Sequence, residues 1–314
     1  MDSYQGFCFN IELDSMNKIK ATKPRRSASN QKPPSASEFI AKLENRWQQQ
    51  DSCVCVGLDS DFAQIPVALK SKNATIEDTI TRFNQEIIAA THDLVCAYKP
   101  NSAFYEAQGE QGLRALTKTV RYIKQNHPDI PVILDAKRAD IGSTNTGYVQ
   151  AAFDQLGVDA ITVHPYLGQE ALQPFLDRQD KGFIVLVKTS NPGAGEFQDL
   201  LVGPAGEPLY QVVARQVAQS WNTHHNCAIV VGATYPKELA AVRQVVGDMP
   251  ILIPGIGAQG GEVAATVKAG KDSRGQGMII NSSRGIIFAS EGEDFAQAAR
   301  QATAQLKTAI NKYR

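Results

Sequence analysis

The sequence predicts an α/β protein: a single (β/α)8 TIM barrel preceded by an N-terminal tail. Three observations predict it. From Glu38 onward, short β-branched runs alternate with stretches of helical period. Eight such runs fall within about 260 residues, the count and size of that barrel. Charged residues recur at the ends of consecutive runs, where barrel enzymes place their chemistry. A doubly wound open sheet is the competing arrangement. No internal repeat of 20–50 residues accompanies the βα alternation.

The tail comes first. Asn17 to Ser37 is rich in Pro, Ser, Asn, Lys and Arg and poor in apolar residues, so residues 1–37 are expected to be disordered ahead of a barrel domain over residues 38–314. The segment has no signal-peptide apolar core. From Met16 to Ser37 it lacks acids and carries several Lys and Arg, a composition shared with organelle transit peptides. A cytoplasmic location is expected, with an organelle as the alternative and Met16 as a second candidate start.

The strands are read at Cys53–Asp59, Leu94–Lys99, Pro131–Lys137, Ala160–Pro165, Gly182–Ser190, Cys227–Thr234, Ile251–Gly257 and Gly277–Ser283. Between the first two, Ile76, Ile80, Phe83, Ile87 and Ile88 share a helical face over Thr75 to His92, and Thr75 with Asp78 resembles a capping box. A last helix over Asp294 to Asn311 puts Phe295, Ala298, Ala302 and Leu306 on one stripe. The one long connection, Asn191 to Leu209, is rich in Gly and Pro and follows strand five at the rim, which suits a mobile lid.

Composition bounds the function. The chain has 314 residues, 43% of them hydrophobic and 20% charged, with 32 basic against 32 acidic residues. Zero net charge argues against bulk attraction to nucleic acid or an anionic membrane. No run approaches eighteen apolar residues, so no transmembrane helix is expected. The cysteines, Cys8, Cys53, Cys55, Cys96 and Cys227, are odd in number and form no C-x-x-C pair, as expected of buried thiols in a reducing compartment. The five histidines show no metal-ligand spacing.

The chemistry gathers at strand ends. Strand one ends in Asp59, strand two in Lys99, and strand three in Asp135-Ala136-Lys137 with Asp140 following. Asp135 and Lys137 are two apart, so strand alternation points both to one side. The expectation is a cluster of Lys99, Asp135, Lys137 and Asp140 with Asp59 beside it. Desolvating several ions together costs several kcal/mol each, so stability alone would not keep them there. A reactive site is the better reading. Further on, Pro254-Gly255-Ile256-Gly257-Ala258-Gln259-Gly260 imitates a dinucleotide fingerprint. It lies late in the fold, however, and the next strand ends Asn281-Ser282-Ser283-Arg284 rather than in a ribose-binding acid. Loops after strands seven and eight commonly bind phosphate, and backbone N–H groups near Gly257 and Gly285 with the Arg284 fork suit a phosphate dianion. Ser190 and Asn191, at the end of strand five, fit either turn chemistry or hydrogen bonding to a polar ring.

Together these residues resemble a known family. Asp135-Ala136-Lys137-Arg138-Ala139-Asp140-Ile141-Gly142-Ser143-Thr144 is similar to the D-x-K-x-x-D-I-x-x-T signature of the orotidine 5′-phosphate decarboxylases. Val56-Gly57-Leu58-Asp59, Tyr98-Lys99-Pro100-Asn101, Thr189-Ser190-Asn191-Pro192-Gly193, the Pro254–Gly260 segment and Ser283-Arg284 match in the same order. The likeness runs from about Glu38 to Asn311 and resembles the longer bacterial branch, type 2. It implies a cytoplasmic homodimeric lyase of pyrimidine biosynthesis that turns orotidine 5′-phosphate into UMP and CO2 with no cofactor and no metal. Carried over by position, Asp135 would sit by the substrate carboxylate and Lys137 would protonate C6. Lys99 would hold Asp135 and the ribose region, and Asp59 the ribose hydroxyls. Ser190 would read the pyrimidine amide. Gln259 and Arg284 would bind the phosphate, with Pro254, Gly257 and Ser283 in the same cradle. Asp140 and Thr144 would reach into a partner's site.

The resemblance also orders the rivals. A metal-dependent sugar-phosphate lyase or aldolase on this barrel carries a Glu where strand two here has Lys99. A Schiff-base aldolase needs a lysine of lowered pKa, which neighbouring aspartates oppose. A non-catalytic nucleotide-binding barrel would bind UMP without consuming orotidine monophosphate. The N-terminal segment is too short for the phosphoribosyltransferase domain fused to some family enzymes, so a free-standing decarboxylase is expected.

Overall fold

The computed structural model describes residues 37–256 and 260–314. The expected tail, Ser37 apart, and Cys8 lie outside the described residues. Eight parallel strands form one sheet: β1 (Val54–Gly57), β2 (Ala97–Lys99), β3 (Ile133–Arg138), β4 (Ala160–Val163), β5 (Gly182–Lys188), β6 (Cys227–Val231), β7 (Ile251–Pro254) and β8 (Met278–Ser282). Their hydrogen-bonded order is β2-β1-β8-β7-β6-β5-β4-β3. The two ends of that order meet through isolated parallel bridges, Tyr98 to Val132 and Asn101 to Asp135. The Asp135 N–H donates to the Pro100 carbonyl at 2.9 Å across this seam. The sheet therefore closes on itself, as a barrel and not an open sheet.

Val54, Val56, Ile133, Ile161, Val163, Ile184 and Val185 are buried, because barrel strands have helices on one side and a filled interior on the other. The helix Glu38–Gln49 closes the N-terminal ends of the strands. Its Phe39, Leu43 and Trp47 are no more than 1% exposed. A Cβ at Gly182 would lie 2.1 Å from the Phe39 ring, so the start of β5 must be glycine. Buried Arg46 donates to the carbonyls of His92 and Val95 and pairs with Asp129, anchoring this helix beneath β2.

The helix Ile76–Thr91 has the expected cap: Thr75 Oγ1 accepts from the Asp78 N–H at 3.0 Å. The helix Phe295–Asn311 differs from expectation. Its buried stripe is Phe295, Ala299, Thr303, Leu306 and Ile310, whereas Ala298 and Ala302 are only half-buried. Neighbouring alanines offer nearly equal apolar area, so packing selects the face: the Phe295 ring stacks on Phe83 at 5.2 Å. The connection after β5 is also more ordered than one long loop. It folds into a 3-10 turn (Pro192–Ala194), a short helix (Gly195–Gln198) and a hairpin pairing Leu201–Val202 with Glu207–Pro208. Gln198 ties it to the end of β5, accepting from the Thr189 N–H at 2.9 Å, and buried Lys188 ion-pairs with Asp199.

Cys53, Cys55, Cys96 and Cys227 are free and buried. Among the described residues no helix is long and apolar enough to cross a membrane. No three His, Cys, Asp or Glu side chains among them gather as a metal ion would require.

Candidate active site

At the C-terminal rim, ions from three consecutive strands touch. Lys99, the last residue of β2, is 2% exposed. Its Nζ donates to Asp135 Oδ2 at 2.8 Å and stands 3.8 Å from Asp59 Oδ1. Asp135 Oδ1 accepts from Lys137 Nζ at 2.7 Å and from the Thr162 hydroxyl at 2.9 Å. Thr162, in β4, also accepts from the Lys137 N–H at 2.9 Å. Asp59, Lys99, Asp135 and Lys137 thus form an unbroken chain of alternating charge.

Asp135 and Lys137 do share a side, but regular alternation is not the reason. The β3–β4 register slips between Leu134 and Arg138, and Lys137 has φ 46°, in the left-handed region. A side chain other than glycine held there costs on the order of 1–3 kcal/mol and persists where its surroundings demand it. Here the Thr162 and Asp135 bonds fix both ends of Lys137.

The electrostatics follow from this crowding. Burial alone would raise the Asp135 carboxyl, but the Lys99 and Lys137 ammoniums overcome it and hold Asp135 well below the usual carboxylate range. Burial alone would lower Lys99, yet Asp59 and Asp135 leave it raised. Both groups stay charged at neutral pH.

Asp140 stands apart from this chain, contrary to the expected four-ion cluster. Among the described residues it has no ion-pair partner. Its Oδ1 accepts from the Ile141 N–H at 2.6 Å. Buried Asn145 holds its backbone, accepting from the Asp140 N–H at 2.9 Å and donating to its carbonyl at 2.7 Å. The reason is local: the helix Gly142–Val149 begins two residues later, and the carboxylate meets a backbone N–H at its entrance. Thr144, in the first turn of that helix, is exposed.

A cavity of about 1030 Å³ opens on the rim. Asp59, Lys99, Asp135, Ser190, Pro254, Ser283 and Arg284 line it, so these expected residues from strands far apart in sequence do converge. Lys137 joins it through Asp135. Gly257 and Gln259 lie outside the described residues. Two glycines make the convergence possible. A Cβ at Gly57 would fall 1.9 Å from Ser283 Oγ, and one at Gly232 would fall 2.9 Å from Ser190 Cβ. Arg284 opens the short helix Arg284–Ile287 and is exposed to the cavity.

Two polar residues of the site were not singled out from the sequence. Thr162 sits in Ala160–Val163 and reads as ordinary β-branched strand filler; only the fold reveals Asp135 beside it. Asn281 ends an apolar run, Met278-Ile279-Ile280, and a lone amide there was a usable signal. It is 5% exposed and lines the cavity.

Comparison with known proteins agrees with this geometry. The orotidine 5′-phosphate decarboxylase / HUMPS family model matches residues 52–302. The orotidine 5′-phosphate decarboxylase of Janthinobacterium sp. (strain Marseille) is 51% identical over 276 residues, covering 88% of this chain and 98% of that protein. The protein of the same name from Cellvibrio japonicus (strain Ueda107) is 50% identical over 273 residues, covering 87% and 98%. The structure of Leishmania donovani OMP decarboxylase superposes with a TM-score of 0.73 at 37% identity, over 88% of this chain and 99% of that one. With the family match spanning most of a barrel whose rim carries the signature ions, the chain belongs to the orotidine 5′-phosphate decarboxylase / HUMPS family.

Proposed function

We infer that the chain is an orotidine 5′-phosphate decarboxylase, converting orotidine 5′-phosphate to UMP and CO2 in pyrimidine nucleotide synthesis. The ion chain from Asp59 to Lys137, set on a cavity that also reaches Arg284, carries this reading. Relatives at 51% and 50% identity bear the same name. An ammonium at the end of β2 opposes a divalent cation in that place, which disfavours a metal-dependent lyase.

The chemistry asks for such a chain. Breaking the bond between C6 and the carboxylate releases CO2 and leaves the electron pair on a ring carbon with poor delocalisation. The required barrier reduction lies in the upper part of the ~8–23 kcal/mol that enzymes commonly supply. Lys137 donates a proton to C6, and solvent returns one to the amine. Its charge, fixed before reaction, stabilises the developing carbanion without reorganisation. One charge pair at about 4 Å and an effective dielectric of about 20 contributes about 4 kcal/mol, so no single residue suffices. Binding energy from the remote phosphate supplies the rest.

In this reading Asp135 sits by the carboxylate, Lys99 fixes Asp135 and the ribose region, and Asp59 takes ribose hydroxyls. Ser190 reads the pyrimidine amide. Arg284 and Gln259 grip the phosphate beside Pro254, Gly257 and Ser283, and the segment after β5 closes over it. Asp140 and Thr144 serve the site of a second copy in a homodimer. Exposed Ile141, Tyr166 and Leu167, near the ends of β3 and β4, give that contact apolar area. The four buried free thiols among the described residues accord with a cytoplasmic location.

The direct test mixes chelator-treated protein with orotidine 5′-phosphate and follows the ultraviolet spectrum. Loss of orotate absorbance with UMP formed is expected. An unchanged spectrum, or turnover only after a divalent metal is added, would refute the assignment.

A further inference from the structure

We propose that Asn281 is a further substrate-positioning residue, accepting a hydrogen bond from a ribose hydroxyl of the bound nucleotide. The identity of the nucleotide rests on the decarboxylase reading; the unpaired acceptor oxygen of Asn281 does not. Asn281 Nδ2 donates to Ser283 Oγ at 3.2 Å, which fixes the amide. Its Oδ1 is buried and has no hydrogen-bond donor among the described residues. A folded chain keeps a buried oxygen in that state where a ligand or water completes it.

Asp59 Oδ1 is in the same condition, buried without a hydrogen bond. Asn281 lies in β8, and Asp59 follows the end of β1, the strand that pairs with β8 with Cys55 opposite Asn281. Both residues line one cavity. The arrangement needs Gly57, where a Cβ would stand 1.9 Å from Ser283 Oγ and 3.1 Å from Asn281 Oδ1.

Two acceptors without hydrogen-bond donors on one cavity call for a ligand that brings two donors. A phosphate dianion offers none, and Asp59 would repel it. The pyrimidine offers a single ring N–H, and Ser190, suited to it, follows the end of β5, which is separated from β8 by β6 and β7. The vicinal ribose hydroxyls are the part of the nucleotide that fits.

The test titrates the full chain with UMP, 2′-deoxyUMP and 3′-deoxyUMP, after confirming that wild type decarboxylates orotidine 5′-phosphate in the same buffer. Removing the hydroxyl that Asn281 receives should weaken wild-type binding about tenfold. Asn281→Ala should weaken UMP binding about as much, yet show no further loss with that deoxy analogue. In turnover KM should rise about tenfold while kcat stays within about threefold. Equal losses for all three ligands, or none, would overturn the role. Should Asn281→Ala fail to fold, Asn281→Asp keeps the acceptor oxygen: retained discrimination between UMP and its deoxy analogue supports the role, and its disappearance overturns it. A wild type without decarboxylation would instead strike the activity itself, a separate outcome.

Discussion

Lys137 is held in a left-handed backbone conformation with its ammonium on Asp135, so its position is fixed before any substrate arrives. Truncation should therefore act on the chemical step. Lys137→Ala is expected to lower kcat by about 10³-fold or more while UMP affinity changes less than about tenfold; a kcat within tenfold of wild type would remove Lys137 from the mechanism. Arg284→Ala should show the opposite split, raising KM steeply with a smaller effect on kcat, and the difference between variant and wild type should vanish on a substrate without phosphate. The charges also set a pH window. Asp135 is held below its ordinary value, so its stabilising pairing is complete above about pH 4 and fades only as pH falls further. Lys99 is raised, so its contribution is complete below about pH 10 and fades as pH rises beyond. The thermal-midpoint difference between wild type and Asp135→Asn should stay level from about pH 5 to about pH 9. A slope inside that window would show that one of these ions titrates there.

Among the elements, the ends of β1 and β8 are the most tightly constrained. Gly57→Ala drives a methyl into Ser283 Oγ and should raise KM for orotidine 5′-phosphate about tenfold or more, with UMP affinity falling in parallel. Thr75→Ala removes one helix cap, about 1 kcal/mol, and should lower the melting temperature by about 2 °C with activity intact. Calorimetry and steady-state kinetics on the two variants separate a site glycine from a scaffold cap. These elements also show what a sequence can and cannot convey. Strand positions and the Thr75 cap are written in local patterns, β-branched runs and a capping residue, and the fold keeps them. The bulge at Lys137 is not, because it follows from pairing with β4, a partner some 25 residues on. The stripe of the last helix failed for a similar reason: Ala298 and Ala299 look alike until Phe83 is present to choose between them. Sequence spacing puts Asp140 with the ion cluster because it cannot tell a carboxylate facing a cavity from one bonded to the next N–H.

For the whole molecule, the proposed homodimer makes a quantitative demand. If Asp140 completes the partner's site, mixing Lys137→Ala with Asp140→Ala subunits rebuilds one intact site per mixed dimer. A 1:1 mixture should then recover about a quarter of wild-type activity; recovery no greater than the sum of the two variants alone would place both residues in one subunit. The cylinder itself has one distinctive join. Seven strand pairs are joined by hydrogen-bonded ladders, two of them with a register shift, but β2 and β3 meet only at isolated bridges, and the Lys99–Asp135 contact spans that join at 2.8 Å. These rim ions are therefore also the clasp of the barrel. Removing either charge should let this side breathe first, seen as faster amide exchange at Tyr98 and Asp135 than in the opposite wall. A descendant enzyme that retuned these charges for another reaction would have to refasten its own staves at the same stroke.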